Sequence, residues 1–325
     1  MEGGEVGEGA LARYSELKFA RYLSSFGRNP THVQLIISDL CNQDCSFCLH
    51  RVSGHRASSL FWVGSNHNPN RKIPLGKVLE ILDDCQEMGV KAIQLTGGGE
   101  PTVHPDFQKV VDGVIERGMK YALITNGVLA GKMDLSKASW VRVSLDAATA
   151  KTYSLVRRVP EWHFDRACET VRRLRCGVGF VITPENEHEV SFGAHLAMGL
   201  GAKYIRITRA SHVGGQGWPL DPKAYSKPGF EVVLRHWTDE GTEDPLCGYQ
   251  RFTTYIGGDQ KLYRCCIYSY NPRGLIGDLN GRRFKDVWNG VDWTLDARKC
   301  EGCIFRGKNS LISEALQEDE SSAFI

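Results

Sequence analysis

The sequence predicts an α/β fold, a partial (β/α)6 TIM-like barrel, on three observations. Six short apolar runs recur between residues 33 and 208, stretches of helical periodicity separate them, and glycines fall where those helices must stop. The strand candidates are residues 33–38, 91–96, 120–125, 140–145, 178–183 and 203–208, each apolar enough to be expected buried on both faces. Between the first two, Pro74 suits a first helical turn, Val78, Leu82 and Cys85 follow at helical spacing, and Gly89 can end the helix. In the next helix Phe107, Val110, Val111, Val114 and Ile115 make one apolar stripe, and Gly118 supplies the stop. Between Leu49 and Ile73 runs a polar stretch with Ser65, His67, Pro69 and Asn70, longer than a usual βα connection. Its place after a strand predicts a substrate wall over the barrel mouth.

A chain of 325 residues with 42% hydrophobic content exceeds one core, since single cores stop growing near ~250–300 residues. The expected division is a flexible N-terminal segment over 1–30, a barrel over 31–213, a linker and small second unit over 214–306, and an acidic tail over 307–325. The net charge of +2 gives no electrostatic reason to require nucleic acid or an anionic membrane. No apolar run approaches the ~18 residues of a membrane span, and Met1 to Ala10 is rich in Gly and Glu, so the expectation is a cytoplasmic protein.

Eleven cysteines are many for a cytosolic chain, and their clustering argues for metal or cluster ligation over a disulfide framework. Cys41, Cys45 and Cys48 are spaced to fold around a cubane and leave one iron without a protein ligand. The alternative is zinc, with His50 or Asp44 as a fourth ligand at an unusual spacing. Cys247, Cys265, Cys266, Cys300 and Cys303 form a second group. Cys85 and Cys168 fall on apolar helix faces as small hydrophobes, and Cys176 has no assignment. His50, His55, His67 and His104 are expected at the surface without a catalytic role.

The first cysteine run, with Phe47 before its last member, resembles the signature of the radical S-adenosylmethionine superfamily. The likeness continues in Gly97, Gly98, Gly99, Glu100 and Pro101 after the second strand, similar to a family turn that holds the methionine end of the cofactor. Glycine suits that turn if the backbone must approach a ligand closely. A third match, Ser144, Asp146 and Arg157 after the fourth strand, implies contacts to the cofactor's ribose and carboxylate, with Arg158 an alternative to Arg157. Asn126 and Thr183, at ends of the third and fifth strands, stand where barrel enzymes place ligand contacts. The resemblance implies S-adenosylmethionine bound to a 4Fe-4S cluster and cleaved by one electron to methionine and a 5'-deoxyadenosyl radical that takes hydrogen from a substrate. It also implies an electron donor such as a flavodoxin or ferredoxin.

The second cysteine group resembles the Twitch domain, a shortened relative of the SPASM domain, which implies an auxiliary 4Fe-4S cluster on Cys247, Cys265, Cys300 and Cys303. Adjacent cysteines on a strand point to opposite faces, so one of Cys265 and Cys266 reaches the cluster; spacing selects Cys265. A tetrahedral zinc site on the same four thiols is the chemical alternative. The expected function is an oxidoreductase or mutase acting on a small polar molecule. A ribosomal peptide is the second substrate class. A modified base in a nucleoside or nucleic acid, suggested by the pairs Arg157-Arg158, Arg172-Arg173 and Arg282-Arg283, is the third. A non-enzymatic iron-sulfur protein is the other class, and would need neither an open iron nor a cofactor turn.

Overall fold

Val33 and Leu35, Ile93 and Leu95, Val141 and Val143, and Ile205 and Ile207 alternate with more exposed neighbours, and this two-residue period gives each run one apolar face. The computed structural model describes residues 29–50, 71–210, 220–235, 247–291, 293, 298, 300, 303 and 305–315. All six expected strands form: β1 (His32–Leu35), β2 (Ala92–Leu95), β3 (Lys120–Thr125), β4 (Trp140–Ser144), β5 (Gly177–Ile182) and β6 (Tyr204–Arg209). They lie parallel and side by side in chain order.

A seventh parallel strand, β7 (Glu231–Arg235), pairs with β6 inside the stretch expected to be linker. Flanking Gly, Pro and charge masked this five-residue strand. On the far side, β8 (Thr253–Ile256) pairs parallel with β1, and β9 (Lys261–Tyr263) and β10 (Leu275–Asp278) follow antiparallel. The result is one ten-stranded sheet in the order β10-β9-β8-β1-β2-β3-β4-β5-β6-β7, an open barrel with β10 and β7 as its edges. Burial on both faces does not hold. Gln34, Gln94, Arg142 and Arg206 alternate with fully buried aliphatic residues and are only half-buried, because the inner face surrounds accessible space.

The outer face is covered by α1 (Leu75–Glu87), α2 (Phe107–Glu116), α3 (Ala150–Arg157), α4 (Trp162–Leu174) and α5 (Val190–Gly199). Val78, Ile81, Leu82, Val110, Val111 and Val114 join the strand aliphatics in one core, and Cys85 and Cys168 lie in it as small hydrophobes. Gly89 and Gly118 take φ of +77° and +71°, the left-handed backbone that ends the first two helices. Three shorter segments follow, α6 (Pro222–Tyr225), α7 (Phe284–Asn289) and α8 (Arg306–Ala315). Arg283, just before α7, donates from Nη2 to the fully buried Asp84 of α1 at 2.5 Å. α8 begins the stretch expected as tail, and its Ile312 packs against Tyr249 and Phe252. No helix among the described residues is long and apolar enough to cross a membrane.

Candidate functional site

The segment after β1 turns at the carboxyl end of the barrel and carries the first three cysteines. Its back is pinned to the end of α3, where Asp44 N donates to Arg157 O at 3.2 Å and Ser46 N to Val156 O at 2.8 Å, and Cys48 N closes a turn onto Cys45 O at 3.1 Å. Cys41, Cys45 and Cys48 line one cavity of about 310 Å³ together with Phe47, Gly97, Gly98, Gly99, Glu100, Asn126, Ser144, Asp146 and Arg157. Residues more than a hundred positions apart thus share one wall. Thr183 is not part of it; its hydroxyl is buried without a hydrogen-bond partner among the described residues.

The three glycines have a cause within the fold itself. A Cβ on Gly97 would overlap the Gly99 carbonyl oxygen, one on Gly98 the Asp39 carboxylate, and one on Gly99 the Leu40 carbonyl oxygen. The turn lies directly on residues 38–40, with Gly99 N donating to Ser38 O at 3.0 Å and Glu100 N to Leu40 O at 2.9 Å. Close approach of chain to chain demands glycine here. The Glu100 carboxylate accepts from Thr102 Oγ1 and Thr125 Oγ1, both at 2.6 Å, and from Asn126 N at 2.7 Å. Burial nevertheless pushes its pKa up.

Arg157 is buried and bound on both terminal nitrogens. Nη1 donates to Gln43 Oε1 at 2.7 Å, and Nη2 to Ser144 O at 2.8 Å and to Asp146. The other Asp146 oxygen accepts from Val181 N at 2.7 Å, so both oxygens have partners before any ligand arrives. Burial raises the Asp146 pKa and Arg157 opposes it; burial also raises the Cys45 thiol, again against Arg157. Arg157 Nε remains buried with no partner among the described residues. That donor, the half-buried thiol trio and the hydrogen-bonded Glu100 suit an iron-sulfur cluster carrying an amino acid ligand.

Sequence reasoning missed Gln43 and Asp39. Gln43 Nε2 also donates to Tyr153 Oη at 2.9 Å. Asp39 accepts from Tyr270 Oη at 2.6 Å and from Arg71 Nε at 2.7 Å, tying the cysteine segment to the C-terminal hairpin. Residues 51–70 of the expected lid, with His55 and His67, lie outside the described residues. Its stem is visible: Lys72 bridges to Ser38, Asp39 N donates to Arg71 O at 2.8 Å, and His50 lines the cavity. His104, expected at the surface, is 4% exposed, with Nε2 at 3.0 Å from Ile73 O and Nδ1 accepting from Asp106 N.

The second cysteine group gathers beyond β8. Burial pushes the Cys247 thiol up to about 12, with charge on nearby Cys300 and Cys303 adding to the rise, and Cys247 in turn acts on Cys265. Cys266 packs toward Ile36, Tyr255, Tyr263 and Tyr270 instead. Among the described residues no three of His, Cys, Asp or Glu converge as one shared metal ion would require. A cubane makes no such demand, because each of its thiolates binds a different iron.

Residues 35–191 match the family model of the Radical SAM superfamily. The probable GTP 3',8-cyclase of Saccharolobus islandicus is 26% identical over 203 residues, 59% of this chain and 61% of its own length. This chain thus spans under two thirds of that relative. Mycofactocin maturase MftC of Mycobacterium tuberculosis is 29% identical over 282 residues, 76% of this chain and 67% of its own. Streptococcus suis SuiB bound to S-adenosylmethionine superposes with a TM-score of 0.61 at 15% identity, covering 87% of this chain and 71% of that one. Residues 35–191, with their three-cysteine segment and glycine turn at one cavity, are a Radical SAM domain.

Proposed function

We propose that the chain is an enzyme that cleaves S-adenosylmethionine reductively and abstracts hydrogen from a small polar substrate, oxidising or rearranging it. The Radical SAM domain over residues 35–191 implies S-adenosylmethionine and one 4Fe-4S cluster. A reduced cluster with an open iron supplies the electron that breaks the sulfonium and so yields the hydrogen-abstracting 5'-deoxyadenosyl group. The observation that carries the reading is the convergence of Cys41, Cys45 and Cys48 with Glu100, Asp146 and Arg157 on one cavity.

In this reading the three thiolates hold the cluster and Phe47 shields it. Glu100 and the Arg157 Nε take the amino and carboxylate groups of the cofactor. Asp146 and Gln43 hold the guanidinium in place. Asp146 has spare lone pairs for a ribose hydroxyl. Cys247, Cys265, Cys300 and Cys303 would complete an auxiliary 4Fe-4S cluster, supported by their mutual electrostatic influence. The test is anaerobic reconstitution followed by dithionite and S-adenosylmethionine. Release of 5'-deoxyadenosine by wild type and its loss in Cys45→Ala supports the reading; equal release by both overturns it.

A further inference from the structure

Arginines stand on the inner face of the barrel below the cavity. Val141 and Val143 of β4, Ile205 and Ile207 of β6, and Val232 of β7 take the buried outer face, which leaves Arg142, Arg206 and Arg235 facing inward. The register sets them close together. Arg142 aligns with Gly177, and Gly177 with Tyr204; Gly179 aligns with Arg206, and Thr208 with Arg235. The strand between them, β5, offers glycine at its first two inner positions, and the space is used. A Cβ on Gly177 would overlap the Tyr204 ring, and one on Gly179 would stand 3.7 Å from Cδ and Nε of Arg142. The Arg142 side chain therefore crosses β5 toward Arg206.

Among the described residues neither Arg142 nor Arg206 has a carboxylate partner; Arg142 has the Tyr204 hydroxyl and the Trp140 ring, 5.7 Å from its guanidinium carbon. Repulsion from Arg142, then burial, then Arg235 hold Arg206 well below the usual guanidinium range. Ser144, Val181 and Thr208, next along the inner face of β4, β5 and β6, wall the cysteine cavity. Cys266, of the second cysteine group, lies near enough to act on Arg206. The recess thus adjoins the first cysteine site and is within electrostatic reach of the second group.

We propose that Arg142, Arg206 and Arg235 seat a phosphate group of the substrate, an inference that rests on the radical reading for what happens to that substrate. A monocarboxylate would offset one of the two charges of Arg142 and Arg206. A phosphate ester or diphosphate carries two or three, and offers oxygens to more than one guanidinium fork at once. Tyr204 adds a neutral donor beside them.

The experiment uses the reconstituted full chain and inorganic pyrophosphate as probe, by equilibrium dialysis at 0.15 M salt, with citrate as a polycarboxylate arm. Saturable binding of about one pyrophosphate per chain is expected. Arg206→Gln and Arg142→Gln each weaken it about tenfold or more, Arg206→Lys recovers most of the loss, and Arg172→Gln on the outer surface changes nothing. Absence of saturable binding, equal binding by wild type and Arg206→Gln, or tighter binding of citrate overturns the phosphate seat. S-adenosylmethionine affinity and iron content, measured in the same samples, show that each variant is folded. Pyrophosphate bound by a wild-type chain that fails to bind S-adenosylmethionine supports the seat and overturns the radical reading instead.

Discussion

Arg157 and Asp146 are 5% and 1% exposed at their side chains and form a buried ion pair in the cavity wall. Removing one of them leaves the other ionised and buried. Arg157→Ala is expected to destabilise the reconstituted chain by about 3–5 kcal/mol in urea unfolding, whereas Asp146→Asn with Arg157→Gln recovers more than half of that. Equal urea midpoints for the two variants would refute the coupling. Because the single variant mixes stability with cofactor binding, the double variant is the one whose S-adenosylmethionine dissociation constant reports on the Arg157 Nε. Gly98→Ala, which meets Asp39 and not the cavity, is expected to lower the urea midpoint even without cofactor. Part of this cavity was legible in the sequence, because three closely spaced cysteines and a run of three glycines before Glu100 stand at ordered places in a repeating pattern. Gln43, Asp39 and Tyr270 were not legible. Their significance comes from partners as far as 231 positions away.

At the scale of elements, the seam between β1 and β8 is a place where pH should act. His32 of β1 stands opposite Thr253 of β8, with Nδ1 3.0 Å from Oγ1. Burial, reinforced by the charge of Lys308, lowers its pKa from the usual 6.5 to about 4. The unfolded chain therefore binds the proton more readily between those values. Stability from a neutral His32 is complete above pH 6.5 and is lost as the pH falls toward 4. Between pH 7 and pH 5 the wild-type urea midpoint is expected to fall further than that of His32→Gln; parallel declines would remove His32 as the cause. Strands with unbroken aliphatic runs were easy to place from sequence. β7 was not, since Glu231 and Arg235 make two of its five residues charged and only pairing with β6 settles its state. The inner-face polar residues were hidden for a related reason: a run such as Trp140–Ser144 reads as apolar until its alternation is tied to an inside and an outside.

For the whole molecule, the two cysteine groups imply a stoichiometry. Anaerobic reconstitution is expected to give about eight irons and eight sulfides per chain, and Cys41→Ala with Cys45→Ala and Cys48→Ala about half. Zinc in place of half the iron, or loss of all iron from the triple variant, would end the two-cluster reading. Both groups depend on one continuous sheet, because β8 joins the hairpin before Cys265 to the strand before Cys41.

That joint also governs the order in which the protein can be made. His32 and Thr253 are 221 positions apart, so at ribosomal rates of ~5–20 residues per second the edge of β1 waits about 10–45 seconds for its partner. Until then it is an unpaired parallel edge with Val33 and Leu35 beside it, the kind of surface that recruits other strands. The first cysteine segment emerges long before the hairpin that braces Asp39 through Tyr270. A nascent chain therefore offers thiols before it offers a finished scaffold, and the rate of closing that distant pairing sets how long they stay open to oxidation.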